Sequence, residues 1–315
     1  MAAPSVYRRR RITALAIALL LVAVVVAVVV LRGGDEADEP AATRTASEPK
    51  AEALPQLPRG GRTLLPDRRI VAFYGAPQDA QLGELGIGTP ARAAARLERQ
   101  ARPYARKTRP VVPAMELIAV VAAAHPGEGG RYNTRLQDSV IRRYLRAARR
   151  AKALLVLDIQ PGRSDFFTET TRLQKWLEQP DVGLAIDPEW RMGPDQVPGD
   201  VIGSVDAREV NAVSAWLDEL VQRRRLPQKL FLIHQFTADM VDDTALQERR
   251  GLAMVLNADG FGGQEVKEAK YHSFTSSPRP FLHQGFKLFY HEDIDLMTPR
   301  EVMRLGPPPD VVIYE

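Results

Sequence analysis

The chain contains no cysteine among its 315 residues. It therefore forms no disulfide, supplies no thiolate ligand to a metal and offers no cysteine for lipid attachment. Noncovalent packing must hold the fold together.

Outside its first 32 residues the chain also lacks an excess of positive charge. The net charge is +4, but Arg8–Arg11 and Arg32 supply five positive charges, and subtracting them leaves −1 for the remainder. A near-neutral body gives no electrostatic reason to bind a polyphosphate backbone. We expect no nucleic-acid partner.

One long apolar run lies near the N-terminus. Residues 12–31 are apolar except for Thr13, and about 20 such residues cross a bilayer core. Four arginines precede the run and four acidic residues follow it within 35–39, which places the N-terminus in the cytoplasm. We expect a cytoplasmic basic tail at 1–11 and a single-pass transmembrane signal-anchor helix at 12–31. A cleaved signal peptide is the alternative, although its apolar segment usually has only about 7 to 15 residues.

The rest of the chain divides into a linker and one domain. Residues 32–62 are rich in Ala, Glu, Pro, Thr and Gly without hydrophobic periodicity, which is typical of a disordered linker. Residues 63–315 number roughly 250, the usual size of one β/α barrel. We expect this domain to lie on the extracytoplasmic side of the cell membrane.

Eight short apolar runs predict strands. They are Ile70–Tyr74, Val111–Ile118, Ala153–Ile159, Val182–Ile186, Lys229–Ile233, Leu252–Leu256, Phe286–Tyr290 and Val311–Tyr314. Amphipathic helical patterns separate them, clearly at Pro90–Tyr104, Arg135–Ala148, Phe166–Leu177 and Val210–Arg223 and less regularly at Ala238–Arg250 and Gln264–Pro280. Apolar strands alternating with helices favour a parallel sheet covered by helices, and hence an α/β fold of the (β/α)8 TIM type.

Polar residues follow nearly every predicted strand. In a β/α barrel these strand ends meet at one mouth, where active sites lie. The polar strand-end residues are Glu116, Asp158, Gln160, Asp187, Glu189, His234, Gln235, Asp259, Tyr290, His291, Asp293, Tyr314 and Glu315.

Asp187 and Glu189 form the clearest pair, at the end of the fourth predicted strand. Alternation along a strand predicts that both side chains face the mouth. Two such carboxyl groups can divide their roles, one staying protonated as a general acid and the other ionised to stabilise positive charge. Trp190 beside them can offer an apolar platform to a sugar ring.

The nine residues at 182–190, Val-Gly-Leu-Ala-Ile-Asp-Pro-Glu-Trp, resemble the fourth strand of chitinases and lysozyme-like muramidases. The chitinase pattern is Asp-Gly-x-Asp-x-Asp-x-Glu. Gly183, Asp187 and Glu189 match it, whereas Val182 and Ala185 replace two aspartates. The resemblance implies that Glu189 is the general acid and Asp187 its orienting or substrate-assisting partner.

These observations predict a membrane-anchored glycoside hydrolase-like protein that acts on peptidoglycan or another cell-envelope polysaccharide. The expected catalytic residues are Glu189 and Asp187. The residues expected to bind substrate are Asp158, Gln160, Trp190, His234, Gln235, Asp259, Tyr290 and Asp293.

Two other functions stay open. A catalytically inactive barrel that binds cell-wall glycan or a partner protein would explain the incomplete motif. His234 with Asp158, Asp187 and Asp259 could form a hard metal site, but the sequence has no metal-binding His spacing. We expect no metal and no cofactor.

Overall fold

A computed structural model describes residues 53–77, 79–276 and 279–315. The predicted cytoplasmic tail, the predicted transmembrane helix at 12–31 and most of the predicted linker lie outside these residues. Among the described residues, no helix is both long and apolar enough to cross a membrane.

Nine strands form one sheet. They are β1 (Arg69–Gly75), β2 (Val111–Ala122), β3 (Asn133–Arg135), β4 (Leu154–Ile159), β5 (Val182–Ile186), β6 (Lys229–Gln235), β7 (Leu252–Ala258), β8 (Leu282–Leu288) and β9 (Val311–Tyr314). The seven described α-helices are α1 (Pro90–Ala101), α2 (Asp138–Arg150), α3 (Phe166–Arg172), α4 (Gln174–Leu177), α5 (Ala207–Arg223), α6 (Gln264–Thr275) and α7 (Pro299–Val302).

Eight of the strands close into a parallel barrel. Their order is β1-β2-β4-β5-β6-β7-β8-β9, and β9 pairs in parallel with β1 to complete the ring. The short strand β3 is extra and pairs antiparallel with β2. The predicted TIM-type fold is therefore confirmed, including all eight predicted barrel strands.

The seventh barrel strand begins four residues earlier than predicted, at Leu282 instead of Phe286. Its first half contains His283 and Gln284, so it lacks the apolar run that predicts a strand. Tertiary contacts form the strand instead. Residues 282–286 pair in register with β7, and His283 bonds to Asp310 at 2.8 Å.

The sequence predicts the helices less accurately than the strands. Thr298 caps α7 through a capping box with Glu301, and Asp206 caps α5. The irregular stretch 238–250 contains only a 3-10 turn at Asp243–Ala245. Polar side chains within 238–250 outnumber the apolar ones that a packed helix requires.

Residues 53–65 close the N-terminal end of the barrel. Leu57, Leu64 and Leu65 pack into the barrel interior, and the backbone N–H groups of Leu64 and Leu65 donate to Gln228 Oε1 at 2.7 and 3.1 Å. Part of the predicted linker, residues 53–62, thus belongs to the folded domain. The low hydrophobicity of residues 53–62 gave no sign of their one buried leucine, Leu57.

The barrel interior changes character along the strands. Its lower layers contain aliphatic side chains at every second position, including Ile70 and Ala72 on β1 and Leu230 and Leu232 on β6. Continuing the same alternation upward brings ionisable side chains into the interior near the C-terminal ends of the strands. These are Tyr74, Glu116, Asp158, Asp187, His234, Lys287 and Glu315.

Lys229 is a buried cation away from this mouth. It begins β6 and is 2% exposed, and its ammonium donates to the backbone carbonyls of Gln179 and Val182 at 3.0 and 2.6 Å. Burial lowers the pKa of Lys229 to about 7. The folded domain therefore holds this proton less tightly than the unfolded chain does.

We expect Lys229→Met to stabilise the domain near pH 6 by on the order of 1–4 kcal/mol, since it removes a buried charge. The gain should shrink as the pH rises from about 7 to about 10, because native stability increases while the unfolded chain binds more protons than the folded one. Urea unfolding across this range measures the difference. The exposed Lys107 provides a control, since Lys107→Met should change stability by less than about 0.5 kcal/mol at any pH. A gain that grows with pH would contradict the prediction.

Candidate active site

A cavity of about 160 Å³ opens at the C-terminal mouth of the barrel. Among the residues expected at the site, Gln160, Asp187, Glu189, Trp190 and Asp259 line it. The other lining residues are Tyr74, Leu82, Ile118, Phe236, Gly260, Phe261, Lys287, Phe289 and Glu315. The mouth therefore combines carboxyl groups with aromatic walls.

Asp187 and Glu189 reach the cavity by different routes. Asp187 continues the inward alternation of β5, but a 3-10 turn at Pro188–Trp190 replaces the strand immediately after it. The Glu189 N–H donates to Asp187 Oδ1 at 3.3 Å. Strand alternation thus explains the position of Asp187, whereas the capped turn carries Glu189 to the same wall.

Both carboxyl groups hold protons more readily than usual. Burial raises the pKa of Asp187 well above its ordinary value; His234 opposes this rise, and the carboxylates of Asp158, Asp259 and Glu189 add to it. Burial likewise raises the pKa of Glu189; Asp259 adds to the effect, whereas Lys287 and His234 oppose it. A carboxyl group with a raised pKa can donate a proton near neutral pH.

His234 lies beneath the cavity between two carboxylates. Its Nε2 is 2.8 Å from Glu116 Oε1, and its Nδ1 is 2.8 Å from Asp259 Oδ2. Burial disfavours the charged ring, but Glu116 and Asp259 outweigh that penalty and raise the pKa of His234 well above its usual value. The ring is therefore a cation that donates from both nitrogens.

Lys287 is the second buried cation. Its ammonium lies 3.2 Å from Asp259 Oδ2 and 2.7 Å from Glu315 Oε2, and 3.8 Å from the centre of the Tyr74 ring. Burial disfavours its charge, but Asp259, Glu315 and Asp187 together raise its pKa well above the ordinary value. Lys287 and His234 in turn hold the pKa of Asp259 well below its usual range, despite burial.

Asp158 lies below the cavity wall. It is fully buried and accepts from the Tyr74 hydroxyl at 3.1 Å, and Gln160 donates to that hydroxyl at 3.1 Å. Burial raises the pKa of Asp158 to about 7; among its neighbours, His234 opposes that rise and Glu116 adds to it. Asp158 can therefore exchange a proton near neutral pH.

Ligand atoms of Glu116, Asp158 and His234 lie within 4.8 Å of one another, a spacing that could suit a metal. Both nitrogens of the His234 ring also contact carboxylates, so a metal there would have to replace a proton on the ring.

Three residues expected to bind substrate lie elsewhere. Gln235 alternates away from His234, and its amide donates to the Ala238 carbonyl at 3.3 Å. Tyr290 comes after the end of β8 and stacks on Tyr314, with ring centres 5.3 Å apart. Asp293 accepts from the Lys267 ammonium at 2.8 Å and from the N–H groups of Gly262 and Phe289, so it connects the loop after β7 to the loop after β8.

Sequence reasoning missed Lys287, and it named Glu116 as a strand-end residue without giving it a role at the site. Lys287 is the single lysine of Leu282–Leu288, and Glu116 is the single charged residue of the otherwise apolar strand Val111–Ala122. A charge in such a strand must find a partner inside the barrel. This signal could have identified both residues, although not their partners.

Gly260 shapes the cavity wall beside Asp259. Its φ is +109°, and a Cβ atom there would lie 2.8 Å from the Phe236 ring and 2.4 Å from Lys270 Nζ. Its N–H donates to Asp259 Oδ1 at 2.7 Å. Glycine at this position lets the chain turn while it fixes the carboxylate.

Comparison with protein-family models gives no match for this chain. Comparison with curated protein sequences gives no significant similarity either.

We expect Lys287→Met to destabilise the domain by about 3–5 kcal/mol at pH 7, because it removes a counterion from the buried carboxylate of Asp259 and from the half-buried one of Glu315. Stabilisation through the depressed pKa of Asp259 is present above the unfolded value of about 3.9 and is lost as pH falls through the folded value. The loss in the variant should therefore shrink in acid. Urea titrations at pH 7 and pH 3 test both points.

Lys175→Met is the matched control, since Lys175 is 58% exposed in its pair with Asp138. Exposed pairs contribute no more than about 1 kcal/mol. Equal effects of the two substitutions at pH 7 would show that Lys287 does not balance the buried charge.

Proposed function

We propose that this domain is a glycoside hydrolase that acts on cell-envelope polysaccharide. One observation carries the proposal: Asp187 and Glu189 share a cavity wall at the barrel mouth, and both have raised pKa values. Hydrolysis of a glycosidic bond requires a carboxylic acid that is still protonated when the substrate binds, with a second carboxyl group nearby.

Glu189 is the proposed general acid. It is less buried than Asp187 and lies at the cavity wall, where it can reach a leaving glycosidic oxygen. Asp187 is the partner that orients the substrate or stabilises developing positive charge. Its Oδ1 accepts the Glu189 N–H, so the two groups keep a fixed relative position.

Asp158 supports this assignment from the neighbouring strand. The chitinase pattern has an aspartate where this chain has Ala185. Asp158 on β4 pairs in register with Ala185, so its carboxyl group lies at the level of the absent one. With a pKa of about 7, Asp158 can supply the additional proton that the substituted aspartate would have held.

The cavity size suggests how a glycan is held. About 160 Å³ is less than the roughly 300–1,000 Å³ of common small-molecule pockets, so we propose that one sugar ring enters. Trp190 lies beside the catalytic pair, and Phe261 is 60% exposed. Both would face the rest of the bound glycan. Aromatic faces suit the apolar faces of sugar rings.

The proposed site of action is outside the cytoplasmic membrane. It rests on the predicted anchor at 12–31 and its flanking charges, which place the remainder of the chain on the outer side. Cell-wall glycan is the polysaccharide nearest to such a domain.

We expect Glu189→Gln to lower kcat by about 10²–10⁴-fold, the usual contribution of a general acid, while KM changes little. The full-length chain in detergent is incubated with cell-wall glycan and chitin-type oligosaccharides, and mass spectrometry detects the products. Glu219→Gln is the matched control, because Glu219 is an exposed carboxylate on α5 paired with Arg223. Its turnover should equal that of the native chain.

The native activity should also fall as pH rises through the pKa of Glu189, which lies above its ordinary value, because the acid then loses its proton. Binding of glycan without products, by both the native chain and Glu189→Gln, would instead indicate a catalytically inactive binding barrel.

A further inference from the structure

The charged residues that line the cavity are strongly unbalanced. Four are carboxylic acids, Asp187, Glu189, Asp259 and Glu315, whereas Lys287 is the only cation among the described lining residues. Protons neutralise part of this excess, because the pKa values of Asp187 and Glu189 are raised, and a bound cation can take the place of such a proton.

The single cation is already engaged. Lys287 contacts both Asp259 and Glu315, and Asp259 also contacts His234. These contacts balance one side of the cavity. Lys287 therefore has little capacity left to attract an anionic ligand.

Asp187 and Glu189 have no such direct contact with a cation in the described part of the chain. Among the residues that the structure describes, neither Asp187 nor Glu189 forms an ion pair within 4.0 Å. Another nearby cation, Lys270, donates to the Asp259 backbone carbonyl at 3.1 Å and lies over the Phe236 ring. Its ammonium thus contacts the loop after β7 directly, and the charges of Asp259 and Glu189 act on it without a side-chain ion pair in the described residues.

This imbalance discriminates among sugars. A uronic acid or another anionic unit would find no free cation among the described lining residues, since Lys287 is already engaged by Asp259 and Glu315. A neutral N-acetylated sugar would gain hydrogen bonds only. An ammonium group would gain charge-assisted bonds to the unpaired acids, which are stronger than neutral ones. It could also contact the aromatic face of Trp190, which attracts cations.

We propose that the cavity accepts a sugar with a free, protonated amino group, so that the substrate is a glycan containing hexosamine units without N-acetyl groups. The claim that such a glycan is a substrate rests on the proposed function, whereas the argument from charge concerns binding alone. It can therefore be tested with and without turnover.

The test measures binding to the full-length chain in detergent by calorimetry. The probes are hexamers of glucosamine and of galactosamine, each beside its N-acetylated counterpart, and a hexamer of galacturonic acid. We expect at least one free-amine hexamer to bind tenfold or more tightly than its N-acetylated counterpart, with an affinity that falls as salt rises. The galacturonate hexamer should not bind. Equal or weaker binding of both free-amine hexamers relative to their counterparts overturns the inference.

Two variants test which charge is responsible. Asp187→Asn keeps the shape but removes one unpaired acid, and it should weaken binding of the free-amine hexamer about tenfold or more. The remote Glu219→Gln should leave that binding unchanged. Equal losses in both variants would assign the effect to overall charge and overturn the inference. Because the comparison of native-chain ligands needs no variant, a misfolded Asp187→Asn protein leaves the main test intact.

Product analysis separates this inference from the proposed function. Glu189-dependent cleavage of N-acetylated hexamers, with no binding of either free-amine hexamer, would support the hydrolase and overturn the amine preference. Tight binding of a free-amine hexamer with no cleavage of any probe would support the ligand class and overturn the hydrolase.

Discussion

The upper barrel depends on neutralising more buried carboxyl groups than it has cations. Glu116, Asp158 and Asp187 are all at most 4% exposed, and isolated charges at such depth are expensive. Lys287 and His234 compensate part of this charge through direct contacts. Protons can compensate the rest, because burial raises the pKa values of Asp158 and Asp187. The protonation of these acids is therefore linked to folding.

The remainder of the barrel stabilises this charged layer. Aliphatic side chains fill the lower interior, and residues 53–65 close its N-terminal end. Water is thereby kept away from the underside of the charged layer, where it would weaken every ion pair. Small residues provide space at the level of the acids. A Cβ atom at Gly285 would lie 2.6 Å from Asn257 Oδ1, beside the His234 ring.

Local sequence patterns predict the elements well and the site only partly. Apolar runs identify all eight barrel strands, and alternation places Asp187 correctly. The pattern fails where tertiary pairing decides. Leu282–Gly285 form a strand because β7 pairs with them, and Glu189 reaches the mouth through a turn rather than a strand. Tyr290 is predicted to bind substrate but does not line the cavity, because a polar residue after a strand can pack outside the barrel mouth instead. The pairing of each buried acid with its cation depends on contacts across the closed barrel, which local sequence patterns do not show.

The proposed chemistry and the proposed ligand place opposite demands on the same acids. A general acid at Glu189 must keep its proton, but a nearby ammonium would favour the ionised carboxylate and lower its pKa. The two requirements agree only if the ammonium binds closer to Asp187 than to Glu189. Asp187 is the more buried of the two, and more neighbouring carboxylates raise its pKa. A bound cation therefore stabilises the ionised form of Asp187 more than that of Glu189. Binding would then ionise Asp187, the orienting partner, and leave Glu189 protonated toward the leaving oxygen.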